Sequence, residues 1–456
     1  MKKVIHPVLK KLSSIFNENG KELYLVGGAV RDMLRGQKIH DFDLATNALP
    51  QEVTAIVRRA GGKVVPTGIK HGTVTAFYKD HTAEITTFRT ESGYSDGRRP
   101  DQVIYASDIK EDLSRRDFTM NAIALRLPKG EPVDLFGGAK DIKAGIIRCV
   151  GNAAERFSED GLRPLRAVRF AAQLGFKIEK GTLDAIPGAL SVSANVSWER
   201  VRDEIDKILA SPLPSRGFHL MEQTGLLSLF LEELSACKNI DQKGFHQFDV
   251  LEHSLYACDY SAAKGYCRQL RLAALFHDVG KPSVRQMDSS GVWTFYRHEE
   301  VSANMCEKIL NRLRYPNAVI DSVCHLIREH MFQYTDNWSD SAVRRFIARV
   351  GEANLEDIYR LRRADVYGFA GKEPDPRSLE PLIDRVNKVM EQSRAFSIKN
   401  LAVSGTDLIA IGIQSGKNMG LILKDLLETV LDDPQQNTKE RLLEIAKAMS
   451  NEITAQ

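Results

Sequence analysis

Leu23-Tyr24-Leu25-Val26-Gly27-Gly28-Ala29-Val30-Arg31-Asp32, followed by His40-Asp41-Phe42-Asp43-Leu44, decides how this chain is read. The first stretch reads as a strand, a glycine turn and a helix start. Glycines let backbone N–H groups approach a ligand closely, and such a turn forms a concavity for phosphate oxygens. Arg31 falls in the first helical turn and adds positive charge there. In the second stretch Asp41 and Asp43 are two positions apart. On a strand they project to one face, at a spacing that suits hard divalent cations. The pattern is neither GxGxxG nor a Walker loop. Taken singly, each piece also reads as a tight turn or a solvated edge. Together they predict a nucleoside triphosphate held between a glycine turn, Gly28 and Arg31 included, and metal-bearing carboxylates.

Three further blocks extend the pattern. Glu84, in Thr82-Ala83-Glu84-Ile85-Thr86, alternates with apolar residues on a strand; it reads either as a third carboxylate of the site or as a solvent-facing residue. In Arg115-Arg116-Asp117-Phe118-Thr119-Met120-Asn121-Ala122, adjacent arginines can neutralise a triphosphate, and Asp117 can accept a hydrogen bond from a ribose 2′-hydroxyl. Glu155 to Phe176 reads as one helix, with Asp160, Arg163, Arg166 and Arg169 along one side and Leu162, Leu165, Val168 and Ala172 buried. Asp160 and Arg163 supply an acceptor beside a donor. Cytosine and adenine each show an amine beside an unprotonated ring nitrogen and match that pair; guanine and uracil show the reverse and would leave buried charge unpaired. A solvated i,i+3 ion-pair row is the other reading of this face.

LVGGAVRDMLRG, DFDLAT, RRDFTMNAIA and ERFSEDGLRPLRAVRFAAQLGF, in that order, resemble the class II tRNA nucleotidyltransferase and bacterial poly(A) polymerase family. The resemblance covers about the first half of the chain. It implies an α+β fold: a small mixed-sheet head like that of polymerase β, followed by helical parts. It also implies Mg²⁺ at Asp41 and Asp43, ribose and phosphate contacts from Arg116 and Asp117, and base selection by Asp160 and Arg163 with Arg166 and Arg169 nearby. The implied partners are tRNA, ATP and CTP. The polar segment 90–112 reads as a surface loop, and in the family this region is a lever in the switch from CTP to ATP.

A second constellation follows: His253, His277-Asp278, His298, His330 and Asp365. Imidazoles and carboxylates gathered this way suit a transition metal or Mg²⁺. Their order resembles the HD phosphohydrolases, with His253, His277, Asp278 and Asp365 as the basic set and His298 and His330 as the ligands of a two-metal version. This region is expected either to hydrolyse phosphate esters or to serve as a spacer that kept its metal. Lys417, Lys424 and Lys439, in the helical tail, are expected to face solvent or an RNA backbone. The domain plan expected is a head over 1–150, a neck over 151–235, an HD domain over 236–370 and a tail over 371–456.

The 456 residues suffice for several cores, and 43% apolar with 27% charged residues is the mix of a soluble globular protein. With 63 basic and 60 acidic residues, a nucleic-acid partner needs local basic patches rather than a global field. Six cysteines without a CxxC pair read as buried, reduced thiols, and a cytoplasmic location is expected. The basic start carries Ile5, Leu9, Leu12 and Phe16 at helical spacing, an amphipathic helix rather than a signal peptide. No segment reaches the length of a membrane span. The activity expected is addition of CMP and AMP to the 3′ end of tRNA. The alternatives are A-only or CC-only addition, poly(A) synthesis, an HD phosphohydrolase with a nucleotide-binding head, and a nucleotide sensor without catalysis.

Overall fold

The computed structural model describes residues 5–39, 42–66, 68–69, 72–92, 102–242, 247–392 and 395–454. His40 and Asp41 lie outside the described residues, as do 93–101 of the expected loop. The chain divides into two compact units, Met1–Ser235 with Arg312–Arg314, and Ala236–Asn311 with Tyr315–Gln456.

The first unit begins with helix α1 (Pro7–Glu18), which buries the expected stripe of Leu9, Leu12 and Phe16. Strand β1 (Leu23–Val26) is buried throughout and passes without a loop into helix α2 (Gly27–Leu34). Gly27, at φ +68°, makes that junction possible, because a side chain is strained in this region. Strand β2 (Phe42–Thr46) and helix α3 (Pro50–Arg59) follow, then strands β3 (Lys63–Val65), β4 (Thr73–Tyr78) and β5 (His81–Thr87). Strands β6 (Arg89–Ser92) and β7 (Gln102–Tyr105) pair as an antiparallel ribbon, and helix α4 (Ile109–Ser114) comes next. Within the described part of the expected plain loop over 90–112, these strands and the start of α4 are therefore regular structure. Strands β8 (Ala124–Arg126) and β9 (Glu131–Val133) complete a seven-stranded mixed sheet of order β3-β4-β5-β2-β1-β8-β9. β2 and β5 run parallel, in register Asp43 to Glu84, whereas β1 and β2 run antiparallel. Val74, Ala76, Ala83, Ile85 and Leu44 fill the sheet's buried face, so Asp43 and Glu84 share the other.

Beyond the sheet the unit is helical. The single helix expected from Glu155 to Phe176 is two: α5 (Ala153–Glu159) and α6 (Arg163–Leu174). Asp160 between them is extended, at φ −141° and ψ 108°. A Cβ on Gly161 would stand 2.5 Å from the Val192 carbonyl oxygen, so close packing sets the break. The apolar face of α6 is as expected, with Leu165, Val168 and Ala172 buried. Helix α7 (Trp198–Leu209) follows, buried along Val201, Ile205 and Ile208.

The second unit is almost wholly helical. Val250–Ala263, Arg268–Phe276, His298–Arg312, Asn317–Glu329 and Leu355–Ala370 are its principal helices before the tail. The tail ends in Lys417–Asp432 and Lys439–Thr454. Met419, Ile422, Leu426 and Val430 are the apolar stripe of the first of these and bury against Leu442 and Ala446 of the second. Five of the six cysteines are buried; Cys267 is exposed, contrary to expectation. No helix among the described residues is long and apolar enough to cross a membrane.

Candidate functional site

Gly27 sits at the centre of the first candidate site. A Cβ built on it would lie 3.0 Å from an Arg116 guanidinium nitrogen and 3.7 Å from Asp43 Oδ2. The glycine turn, an arginine from the RRD block and a strand carboxylate therefore converge on one point from three separate segments. Glu84 stands beside Asp43 in the β2–β5 register, exposed, adding a second carboxylate to the same face. Gly28, the glycine favoured by sequence, has ordinary backbone geometry, and its Cβ would meet Arg31 at 3.5 Å, a normal contact. The glycine that geometry requires is Gly27.

The cations around this point are tied to acids and amides. Arg31 donates to both Asp32 oxygens at 2.9 Å and to Asn121 Oδ1 at 3.0 Å. Buried Asp112 holds Arg115 at 2.7 Å and Arg116 at 3.1 Å. Two arginines ordered by one carboxylate keep a net positive charge where a triphosphate is expected.

Asp117 accepts from Arg166 Nη2 at 2.6 Å and Nε at 2.9 Å, from Asn121 Nδ2 at 3.2 Å and from the Phe118 N–H at 2.8 Å. Burial alone would raise this carboxyl. The Arg166 guanidinium and these hydrogen bonds outweigh burial and hold it down at about 2. Arg169 pairs with buried Glu204 at 2.7 Å, and its guanidinium lies 3.5 Å from the centre of the Phe170 ring. Arg31 and Arg166 approach the same ring at 5.3 and 5.5 Å.

The side chains of Asp160 and Arg163 pair with other residues; the two meet only through the Arg163 N–H, which donates to the Asp160 carbonyl at 2.9 Å. Asp160 is held by Arg200 at 2.9 and 3.2 Å and accepts the Leu162 N–H at 3.0 Å. Arg163 is buried; it pairs with Glu159 and donates to the Arg156 and Arg115 carbonyls at 2.8 and 3.1 Å. Arg200 and Glu159 thus stand next to the two candidate base-selecting residues, and neither was assigned from sequence. Glu159 lies directly before Asp160, so its i,i+4 spacing to Arg163 was there to be found. Arg200 is 40 residues from Asp160, and no local signal links them.

The second unit gathers all six expected ligands in its interior. His253, His277, Asp278, His298, His330 and Asp365 are buried. His253, His277 and Asp365 each offer a ligand atom within 4.8 Å of the others, and so do His277, Asp278 and His330. His277, His298 and His330 direct Nδ1 at the Ala274, Phe295 and Ile327 carbonyls at 2.9, 2.8 and 2.6 Å. A carbonyl only accepts, so Nδ1 carries a proton and Nε2 is the nitrogen turned toward the cluster, the one a metal would take once it is deprotonated. The Nε2 atoms of His253 and His277 are 2.9 Å apart. Burial works to raise Asp278 and Asp365; His277 beside Asp278, and the hydrogen bonds from His253 and His277 to Asp365, outweigh it and hold both well below the usual range. His330 is pushed down to about 3 by burial and by His277. The donor set fits a divalent ion. Lys281 on Asp278 and Arg362 on Asp365, both at 2.6 Å, also belong to the cluster and were not assigned from sequence.

The chain resembles known proteins over nearly its whole length. The Poly A polymerase head domain matches residues 23–148, and the model for tRNA nucleotidyltransferase domain 2 matches 287–446. The chain is 33% identical to the CCA-adding enzyme of Enterococcus faecalis over 448 residues, 97% of this chain and 94% of that one. It is 35% identical to the CCA-adding enzyme of Lactobacillus delbrueckii subsp. bulgaricus, covering 96% of each. The crystal structure of the Bacillus stearothermophilus CCA-adding enzyme in complex with CTP superposes with a TM-score of 0.72 at 28% identity, covering 99% of this chain and 100% of that one. With relatives this similar over nearly its full length, and with the glycine turn, strand carboxylates and arginines of a nucleotidyl-transfer head in place, the chain belongs to the CCA-adding enzyme family of tRNA nucleotidyltransferases.

Proposed function

We propose that this protein adds CMP and AMP, from CTP and ATP, to the 3′ end of tRNA without a nucleic-acid template. The observation that carries the reading is the convergence of Gly27, Arg116 and Asp43 on one point, with Glu84 in register beside Asp43. Asp41 and Asp43 are the proposed holders of Mg²⁺, with Glu84 as a third carboxylate on the face of Asp43. When bound, such ions supply Lewis-acid activation of the RNA 3′-hydroxyl and neutralise charge on the leaving pyrophosphate. The chain's own part is positioning: Gly28, Arg31 and Arg116 orient the triphosphate, and Asp117, fixed by Arg166, accepts the ribose 2′-hydroxyl. Asp160 and Arg163 select the base, with Arg166 and Arg169 near it. For Asp160 to meet a base amine, its pairing with Arg200 must loosen or be shared. Free thiols at all six cysteines fit a cytoplasmic setting.

The test uses Asp41→Ala and Asp43→Ala with tRNA lacking its last three nucleotides. Both variants should lose labelled CMP and AMP incorporation by about 10³-fold or more. Extension at the wild-type rate by either would remove the metal assignment.

The buried His–Asp cluster favours a second reading for residues 236–370, a divalent-metal site with phosphohydrolase chemistry. Residues 371–456 are proposed to grip the RNA body.

A further inference from the structure

Asn121 is buried in the short turn Thr119–Asn121, and its polar groups reach three candidate nucleotide residues at once. Its Oδ1 accepts from Arg31 at 3.0 Å. Its Nδ2 donates to Asp117 at 3.2 Å. Its backbone carbonyl accepts from Arg116 at 3.4 Å. A guanidinium only donates and a carboxylate only accepts, so the amide has one satisfactory orientation and links the two.

The three neighbours divide the nucleotide between them. Arg31 and Arg116 are assigned to the triphosphate, Asp117 to the ribose. We propose that Asn121 is a positioning residue for the incoming ribonucleotide, setting the triphosphate-side arginines and the ribose-side carboxylate in one register. The inference rests on the roles proposed above for Arg31 and Asp117. Its chemistry explains the residue type. Aspartate would place a second carboxylate against Asp117, and alanine would leave Arg31 to Asp32 and Asp117 to Arg166 and the Phe118 N–H. Transfer needs the α-phosphorus in line with the RNA hydroxyl while the ribose is clasped, and a link between the two ends meets that need.

The test measures kcat and KM for CTP and 2′-deoxy-CTP on tRNA ending before CCA, together with thermal unfolding. In Asn121→Ala, KM for CTP should rise about tenfold, and the CTP over deoxy-CTP ratio of kcat/KM should fall by about the same factor. Asn121→Asp, which keeps an acceptor for Arg31 and loses the donor to Asp117, should lower the ratio while raising KM for deoxy-CTP less than about threefold. It also serves if the alanine variant fails to fold. An unchanged ratio in a folded Asn121 variant, whatever its overall rate, overturns the inference, because a purely structural role lowers both substrates alike. Asp117→Ala separates the failures. If the ratio does not move there either, the ribose assignment is what fails; if it falls there and not at Asn121, the positioning role is what fails.

Discussion

At the scale of single residues, Gly27 and Asp117 carry the most specific expectations. Gly27→Ala forces a side chain into φ +68° and sets a methyl 3.0 Å from Arg116. The strain costs about 1–2 kcal/mol, and Arg116 must move. KM for both CTP and ATP should rise more than kcat falls; unchanged KM values would place the triphosphate elsewhere. Asp117 has a folded pKa of about 2, below the unfolded carboxylate value. A depressed carboxylate contributes stability above its unfolded pKa and loses it as pH falls through the folded value. The Asp117–Arg166 pair should therefore contribute about 2 kcal/mol near pH 6, fading below about pH 4 and gone near pH 2. Denaturant unfolding of wild type and Asp117→Asn across that range should show the gap closing on acidification. A gap independent of pH would mean that Asp117 is not charged in the fold.

At the scale of elements, the strand–glycine–helix unit and strand β2 were legible because each has a local cause: four buried residues, a residue free to take positive φ, and the period-two alternation of Phe42, Asp43 and Leu44. The α5–α6 break was not legible in the periodicity, although Pro164 signals it, since proline sits well at the first turn of a helix and badly inside one. The periodic run of Asp160, Arg163, Arg166 and Arg169 masks that signal. The β6–β7 ribbon hides behind the glycines and charges between its strands. Partnerships made across the fold have no sequence trace: Arg200 with Asp160, Glu204 with Arg169, Asn121 with Arg31. The residues of the His–Asp cluster were legible, because His-Asp-x-Gly-Lys and the isolated histidines are distinctive; their common burial was not. If that cluster holds a divalent ion, the purified protein should carry metal by elemental analysis, and chelation should lower its Tm by several degrees, as loss of a ligand specific to the folded state requires. His277→Ala should remove both the metal and the response to chelator. A metal-free protein indifferent to chelator and to added divalent ions would reduce the cluster to a set of internal His–Asp ion pairs.

At the scale of the whole molecule, a net charge of +3 leaves tRNA binding to local groups. In the tail, Lys439 is tied to Asp407 at 2.6 Å. Lys417 and Lys424 are both exposed on the helix Lys417–Asp432. Replacing Lys417 and Lys424 together by alanine should weaken tRNA binding and flatten the slope of log K against log salt by roughly one for each phosphate neutralised in the wild type. CMP incorporation into a short acceptor-stem RNA should change little. An unaltered slope would take both lysines out of the RNA interface. The central claim, that one head builds the whole terminal triplet on tRNA, is tested most directly by product length. Transcripts ending before CCA, after the first C and after CC are each offered CTP, ATP or both, and the products are sized. The account predicts two additions with CTP alone on the first transcript, one on the second, and a single A on the third with ATP; CTP and ATP together should complete all three at one defined length. Products stopping at CC, addition of A only, or a ladder of adenylates with ATP would contradict it.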